Sequence, residues 1–330
     1  MKKFLLNLSF FFAVCLALLI TYGLVCEWFF SLDKYLTNDS KRTWSMKQSY
    51  QHFDYVVLGS SRAEGAFDMN MLDSLTGLKG INIGANGSGF VDNYLVLYKF
   101  IQNKNTFNYI FLQTDIYSLD PSRSFSNAFH VFNFIPYWKS PEFKTAISHY
   151  LDNTDQVLFS WVPWLRFYKY NKYYSPIQMI ARIKGRKEKN KRIDHYIKST
   201  AMFPKNLIID STIFFKPKGS RKIIVDSFDV VYLEKILNLS KSNGISVVCF
   251  TAPDFYYQDQ IYSNYHKVNA SLVSFLQERD VKYLAANDSL KMHVENFKDP
   301  GHLSDYGRFL NTVSFSKSIN AIKNKTTLLP

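Results

Sequence analysis

An apolar run, Tyr55-Val56-Val57-Leu58, stops abruptly at Gly59-Ser60-Ser61-Arg62, and far downstream the segment FKDPGHLSDYG carries Asp299 and His302. A serine hydroxyl is a weak nucleophile until a neighbouring base takes its proton. His302 is suited to be that base. Asp299, three residues earlier, can hold the imidazole in one tautomer and stabilise its charged form. A turn brings two positions so spaced onto one side. The chemistry these residue types permit is acyl transfer through a covalent serine intermediate. The plain alternative is structural: Gly-Ser-Ser is a common turn, and an aspartate before Pro300-Gly301 is a common turn residue. The histidines at 52, 130, 149, 195, 266 and 293 have no partner pattern and receive no role.

Acyl transfer also needs donors for a developing oxyanion, and backbone N–H groups at glycine turns can come close enough to serve. A second apolar run ends in NIGANGSG, with Asn82, Gly84, Asn86 and Gly87, and a third ends in Gln113-Thr114-Asp115. N–H groups at the start of a helix after Ser61 would add to them. Arg62, beside the serine, is a candidate substrate contact, or the partner of Glu64 or another acid in a salt bridge.

The elements that must position these residues follow from the hydrophobic pattern. Strands are expected at 55–61, 80–85, 109–115, 245–253 and 281–286. Helices are expected at 69–75, 91–101, 230–244, 261–279 and from about Ser304 onward, with Gly244 as a helix stop. Continuously apolar strands separated by helices imply a parallel sheet covered on both faces. The expected fold is α/β: a three-layer α/β/α sandwich around a mainly parallel five-stranded sheet. Ligands bind such sheets beyond the carboxyl ends of the strands, which is where Ser61, Gly87 and Gln113 fall. Residues 120–225, rich in aromatics and basic residues, show no clean period and read as an insertion. The cluster WVPWLRFYKYNKYY within it suits a sugar platform, a membrane-facing surface or an ordinary helix.

The chain has 330 residues, 47% of them apolar, which excludes a disordered chain. Lys2 and Lys3 precede an uncharged stretch from Phe4 to Val25, which as a helix would run about 33 Å, enough to cross a bilayer. Trp28 falls where an interfacial anchor belongs, and the lysines place the N-terminus in the cytoplasm and the main domain outside it. A cleaved leader is the alternative. The length of the run, and the lack of a small-x-small site after it, favour an uncleaved anchor. The expected organisation is an anchor at 1–30, a stalk at 31–50 and one domain at 51–330. The formal charge is +13, with seven basic residues and one acid in RIKGRKEKNKR at 182–192. That run suits phosphate groups, anionic glycan, a membrane surface or a solvated loop. The apolar N-terminus argues against nucleic acid as the partner. Cys15, Cys26 and Cys249 have no metal or disulfide spacing, and no metal or cofactor is expected.

VVLGSSRA, INIGANGSG and DPGHLSDYG resemble three of the conserved blocks of the SGNH/GDSL hydrolase superfamily. The resemblance covers about 55–115 and 230–320. It implies a flavodoxin-like fold with Ser61, Asp299 and His302 as a catalytic triad, and Gly87, with Gly84 as second choice, in the oxyanion hole. The family's Gly-x-Asn-Asp block is replaced by Leu112-Gln113-Thr114-Asp115, so its asparagine donor is missing. Gln113, Thr114 or Asn86 are the candidate replacements. The resemblance further implies an acyl ester hydrolase or O-acyltransferase working on a cell-envelope or exported glycan. An acylated carbohydrate or acyl donor would be its substrate and a membrane-bound O-acyltransferase its partner. A non-catalytic envelope protein that binds glycan or such a partner is the competing expectation.

Overall fold

A computed structural model describes residues 1–31, 41–119, 131–184, 221–255 and 261–326. In chain order its helices include α1 (Lys2–Ser31), α2 (Lys41–Ser45), α3 (Ser61–Glu64), α4 (Met69–Thr76) and α5 (Phe90–Gln102). Then come α6 (Val131–Phe134), α7 (Pro141–Ser148), α8 (Asn153–Trp161), α9 (Pro163–Lys169), α10 (Asn171–Tyr174) and α11 (Pro176–Lys184). The last four are α12 (Ser227–Ser242), α13 (Tyr265–Gln277), α14 (Asp288–Lys291) and α15 (Asp305–Thr326). The strands are β1 (Tyr55–Leu58), β2 (Gly80–Asn82), β3 (Tyr109–Gln113), β4 (Ser246–Phe250), β5 (Lys282–Leu284), β6 (Phe297–Asp299) and β7 (His302–Leu303). The chain divides into two compact units, one made of residues 1–47 and 126–189, the other of 48–125 and 190–330.

In the second unit β1 to β5 form one sheet in the order β2-β1-β3-β4-β5, every pair parallel. This is the flavodoxin-like order, whose switch point lies between β1 and β3. The strands are short and continuously apolar because both faces are buried; all four residues of β1 are fully inaccessible. Tyr55, Val57, Phe111, Val248 and Phe250 face a core shared with Phe67, Leu72, Phe315 and Ile319, so α4 and α15 cover one side. On the other side α12 packs on α5 and β4, with the rings of Tyr94 and Tyr232 5.3 Å apart. The α/β sandwich expected from the hydrophobic pattern is the fold observed.

Element ends follow local chemistry. Asp68 caps α4 by accepting from the Met71 N–H, and Asp226 caps α12 by accepting from the Phe228 N–H. Gly244, at φ +69°, ends α12 as the spacing implies. The Ile245 N–H bonds to the Ser240 carbonyl and the Gly244 N–H to that of Lys241, the pairing of a Schellman stop. Three features were not legible in the pattern. Residues 131–184 form helices α6 to α11 despite their lack of a clean period. The segment read only as a turn at 299–302 is a small antiparallel hairpin, β6–β7. Lys41–Ser45, in the segment read as a stalk, is a short helix with all five residues buried. The basic residues from 186 to 192 lie outside the described residues.

One internal charge makes the fold pH-sensitive. Asp229 on α12 is buried, and that burial, with Asp226 and Asp92 nearby, pushes its carboxyl up to about 7. The folded state therefore favours the neutral acid. Its contribution is full below the unfolded value near 4 and is lost as the pH rises through about 7. Asp229→Asn, which cannot ionise, should gain roughly 1–2 kcal/mol over wild type between pH 5 and pH 8. Thermal melts of both proteins at the two pH values measure that difference.

Candidate active site

Ser61, Asp299 and His302 come together at the carboxyl end of the sheet. Ser61 is the first residue of α3, and Ser60 before it caps the helix by accepting from the Arg62 N–H. Ser61 Oγ lies 2.8 Å from His302 Nε2. His302 Nδ1 lies 2.8 Å and 3.0 Å from the two carboxylate oxygens of Asp299. The hairpin explains the three-residue spacing: Pro300 and Gly301 make its turn, and Asp299 and His302 are paired directly across it. The Gly301 N–H also donates to Asp299 Oδ1 at 2.9 Å, which fixes the carboxylate from its own turn.

The protonation pattern follows from these contacts. Burial pushes the Asp299 carboxyl up, but the hydrogen bond and charge of His302, the Gly301 N–H and Lys298 together outweigh it and hold it below its ordinary value. An ionised carboxylate only accepts hydrogen bonds, so Nδ1 carries the ring proton. Nε2 is then the ring's acceptor, facing the Ser61 hydroxyl. That is the arrangement a general base needs.

The loop under the nucleophile is held by Gln113. Its Oε1 accepts from the Ser60 N–H (2.8 Å), the Ser60 hydroxyl (3.0 Å) and the Ala63 N–H (3.0 Å), while its Nε2 donates to Asp115. Backbone N–H groups can only donate, so this network fixes which end of the amide is oxygen. Gln113 lines the cavity, yet its carbonyl is turned to the nucleophile loop and its nitrogen to Asp115. Gly59 makes room for it. At φ +151° it holds a conformation other residues avoid, and a Cβ there would lie 2.5 Å from Gln113 Oε1.

The remaining expected residues separate. Gly87, at φ +68°, lines the cavity. Ser61 also lines it, and the N–H groups of Gly87 and Ser61 meet no hydrogen-bond acceptor among the described residues. Gly84 is buried away from the cavity, close against Ala63, and its N–H donates to Asn82 Oδ1 at 3.0 Å, so it is not free to meet an oxyanion. Asn86 is exposed and does not line the cavity, and Thr114 is fully buried. Arg62 borders the cavity but points its guanidinium inward. It pairs with Asp115 at 2.5 Å and with Asp254 at 3.6 Å, and donates to the Ala252 carbonyl. Burial would favour a neutral guanidine, but the two aspartates outweigh it and keep the group charged.

The sequence reading missed Tyr117 and Asp254, and named Asn82 at a strand end without giving it a role. Asn82 Nδ2 donates to the Ala63 carbonyl at 2.9 Å, tying α3 to the end of β2. Tyr117 donates to Asp254 Oδ2 at 2.9 Å and lies under the Arg62 guanidinium, 5.4 Å from ring centroid. Asn82 is the last residue of β2, and Tyr117 and Asp254 each lie four residues past the end of a strand; that position was the available signal. Together the residues enclose a cavity of about 500 Å³, lined by Ser61, His302, Gly87, Arg62, Tyr117 and Asp254 among others. That volume is within the range of small-molecule sites.

The fold and the site together define a flavodoxin-like α/β protein with a serine–histidine–aspartate relay at its switch-point end. No family model matches the chain, and no curated protein matches it. Among solved structures, the chain is similar to a Bacteroides fragilis protein described as a "putative acylhydrolase". The two are 13% identical, with 82% of this chain and 88% of the other covered, at a TM-score of 0.38. At that score the likeness carries no argument, and the reading of the site rests on its own geometry.

Replacing Gln113 by leucine should leave the buried Ala63 N–H without an acceptor, at a cost of about 1–3 kcal/mol, and free the half-buried Ser60 N–H at a smaller cost. Urea denaturation of wild type and Gln113→Leu tests this. An unchanged midpoint would mean that the loop under Ser61 does not depend on the amide.

Proposed function

We propose that this chain is a membrane-anchored serine acyl hydrolase or O-acyltransferase. The observation that carries the reading is the continuous relay from Ser61 Oγ through His302 to Asp299 at 2.8 Å per step. Ser61 Oγ attacks the acyl carbonyl carbon while His302 Nε2 takes its proton. The tetrahedral oxyanion is met by the N–H groups of Ser61 and Gly87. His302 returns the proton to the departing alkoxide as the carbon–oxygen bond breaks, which leaves an acyl ester on Ser61. Water or a sugar hydroxyl then attacks, His302 serves again as base, and Ser61 is regenerated. Hydrolysis and transfer differ only in that acceptor.

The helix Lys2–Phe30 is long and apolar enough to cross a membrane. Lys2 and Lys3 favour a cytoplasmic N-terminus, and so an extracytoplasmic site facing the cell envelope. An exported, acylated glycan is the substrate class that suits such a placement, with a membrane-bound O-acyltransferase as the source of the acyl group.

The competing reading, a non-catalytic binding protein on the same fold, draws on Gln113. Its amide is committed to the nucleophile loop and Asp115, in the block where the hydrolase superfamily carries an oxyanion-binding asparagine. Loss of one such donor costs about a hundred- to a thousandfold in rate.

The test uses the full chain in detergent with a fluorophosphonate probe and p-nitrophenyl acetate. Wild type should label and turn over, and Ser61→Ala should do neither. Asp299→Asn should lose roughly a thousand- to ten-thousandfold in turnover. A folded wild type that neither labels nor turns over would overturn the catalytic reading in favour of the binding one.

A further inference from the structure

In the unit built from residues 1–47 and 126–189, two helices have an inverted surface. In α11 an arginine is inside and the isoleucines are outside, while Lys184 at its end is exposed. Arg182 is 6% exposed, with its guanidinium 4.5 Å from the ring centroid of Phe30 and 5.4 Å from that of Tyr174, and it donates to the Tyr173 carbonyl at 2.6 Å. Ile177, Ile180 and Ile183 are instead 77%, 52% and 52% exposed, along one stripe of the same helix. α8 repeats the pattern more briefly, burying Phe159 and exposing Val157 and Trp161, the latter at 82%. A helix packed for water turns its apolar stripe to the protein and its charges outward. This one does the reverse.

What covers the stripe is indicated by what these helices hold. They close around the last turns of α1. Phe30 packs against Phe167 and Tyr174, the Tyr22 hydroxyl donates to the Tyr174 carbonyl, and Glu27 pairs with Arg166 at 2.5 Å and Lys139 at 3.3 Å. α1 before that collar is uncharged from Phe4 to Thr21 and exposed there apart from the half-buried Cys15, within the stretch suited to the bilayer core. The collar therefore stands where the span leaves the hydrocarbon, and Trp28, 63% exposed, marks the same level. Residues 131–184 contain seven basic residues and three acids, and Lys139, Lys169, Lys172 and Lys184 are exposed. Exposed aliphatic residues and a tryptophan beside lysines are the composition of a helix lying in a lipid interface.

We infer that α8 and α11 lie in the headgroup region of the bilayer that α1 crosses, with Trp161, Ile177, Ile180 and Ile183 at the acyl boundary. The unit is thus a membrane-seated collar and not a single-helix tether. This rests on α1 as the span and is independent of the chemistry at Ser61.

The test is a depth measurement on the full chain reconstituted in vesicles of mixed zwitterionic and anionic phospholipids. An environment-sensitive fluorophore is attached to Ile180→Cys, and separately to Ile177→Cys, in a Cys15→Ser background; Cys26 and Cys249 are buried. Lys241→Cys, exposed on α12, is the reference. Labels at 180 and 177 should shift to the blue, and a lipid with its doxyl group near the top of the acyl chain should quench them about twofold more than the label at 241. Quenching no greater than at 241 would overturn the inference. So would a blue shift without lipid quenching, which would mean that protein covers the stripe.

Discussion

The hydrogen bond from Ser61 to His302 joins residues 241 positions apart, so everything it does depends on the docking of two distant pieces of chain. One piece is the β1–α3 corner; the other is the β6–β7 hairpin with the helix that follows it. Packing and backbone contacts hold them together. Phe315 of α15 lies against Phe67 with ring centroids 4.4 Å apart, the Asp68 N–H donates to Thr312 Oγ1, and Asn311 Nδ2 donates to the Ala66 carbonyl. Long-range contacts of this kind carry a large loop-closure entropy. The aromatic core between α15 and the sheet is what offsets it, so the Ser61–His302 geometry inherits the stability of the core.

Within each piece the geometry is local and cheap. The hairpin turn places Asp299 opposite His302 by register alone, so a three-residue spacing delivers a side-chain pair without further support. At the other corner, Ser60 caps the helix that Ser61 begins, which leaves the first hydroxyl tied down and the second free to face the histidine. The two serines therefore divide the work of holding the turn and facing the base.

This division explains what could be read from residue order. Strand runs such as 55–58 and 109–113 are buried on both faces, so burial wrote itself into composition and the parallel sheet was legible. Ser61, Asp299 and His302 were legible because each sits in a short segment whose local turn dictates its neighbours. The roles of Gln113, Asn82 and Asp254 were not. Each acts on an element far away in sequence, and nothing in its own segment records the partner. The helices at 131–184 escaped for another reason. Each runs only four to nine residues, one to two and a half turns, too few for a helical period to stand out from the aromatic and basic residues around it.

Arg62 shows how a charge beside a nucleophile can be structural. Its neighbours Asp115 and Asp254 stand at the ends of adjacent strands, and Asp115 also accepts from the Ala252 N–H and from Gln113. The guanidinium thus links α3 to the ends of β3 and β4, and through Asp115 to the amide that cradles Ser60. A buried cation held by two carboxylates offers no net positive charge to a ligand. A phosphate or sulfate entering the cavity would have to compete with both aspartates for it, whereas a neutral ester carbonyl needs only hydrogen-bond donors at Ser61 and Gly87. The electrostatics of the lining therefore agree with acyl chemistry and count against phosphoryl or sulfuryl transfer, although the same serine, histidine and aspartate types could in principle serve either.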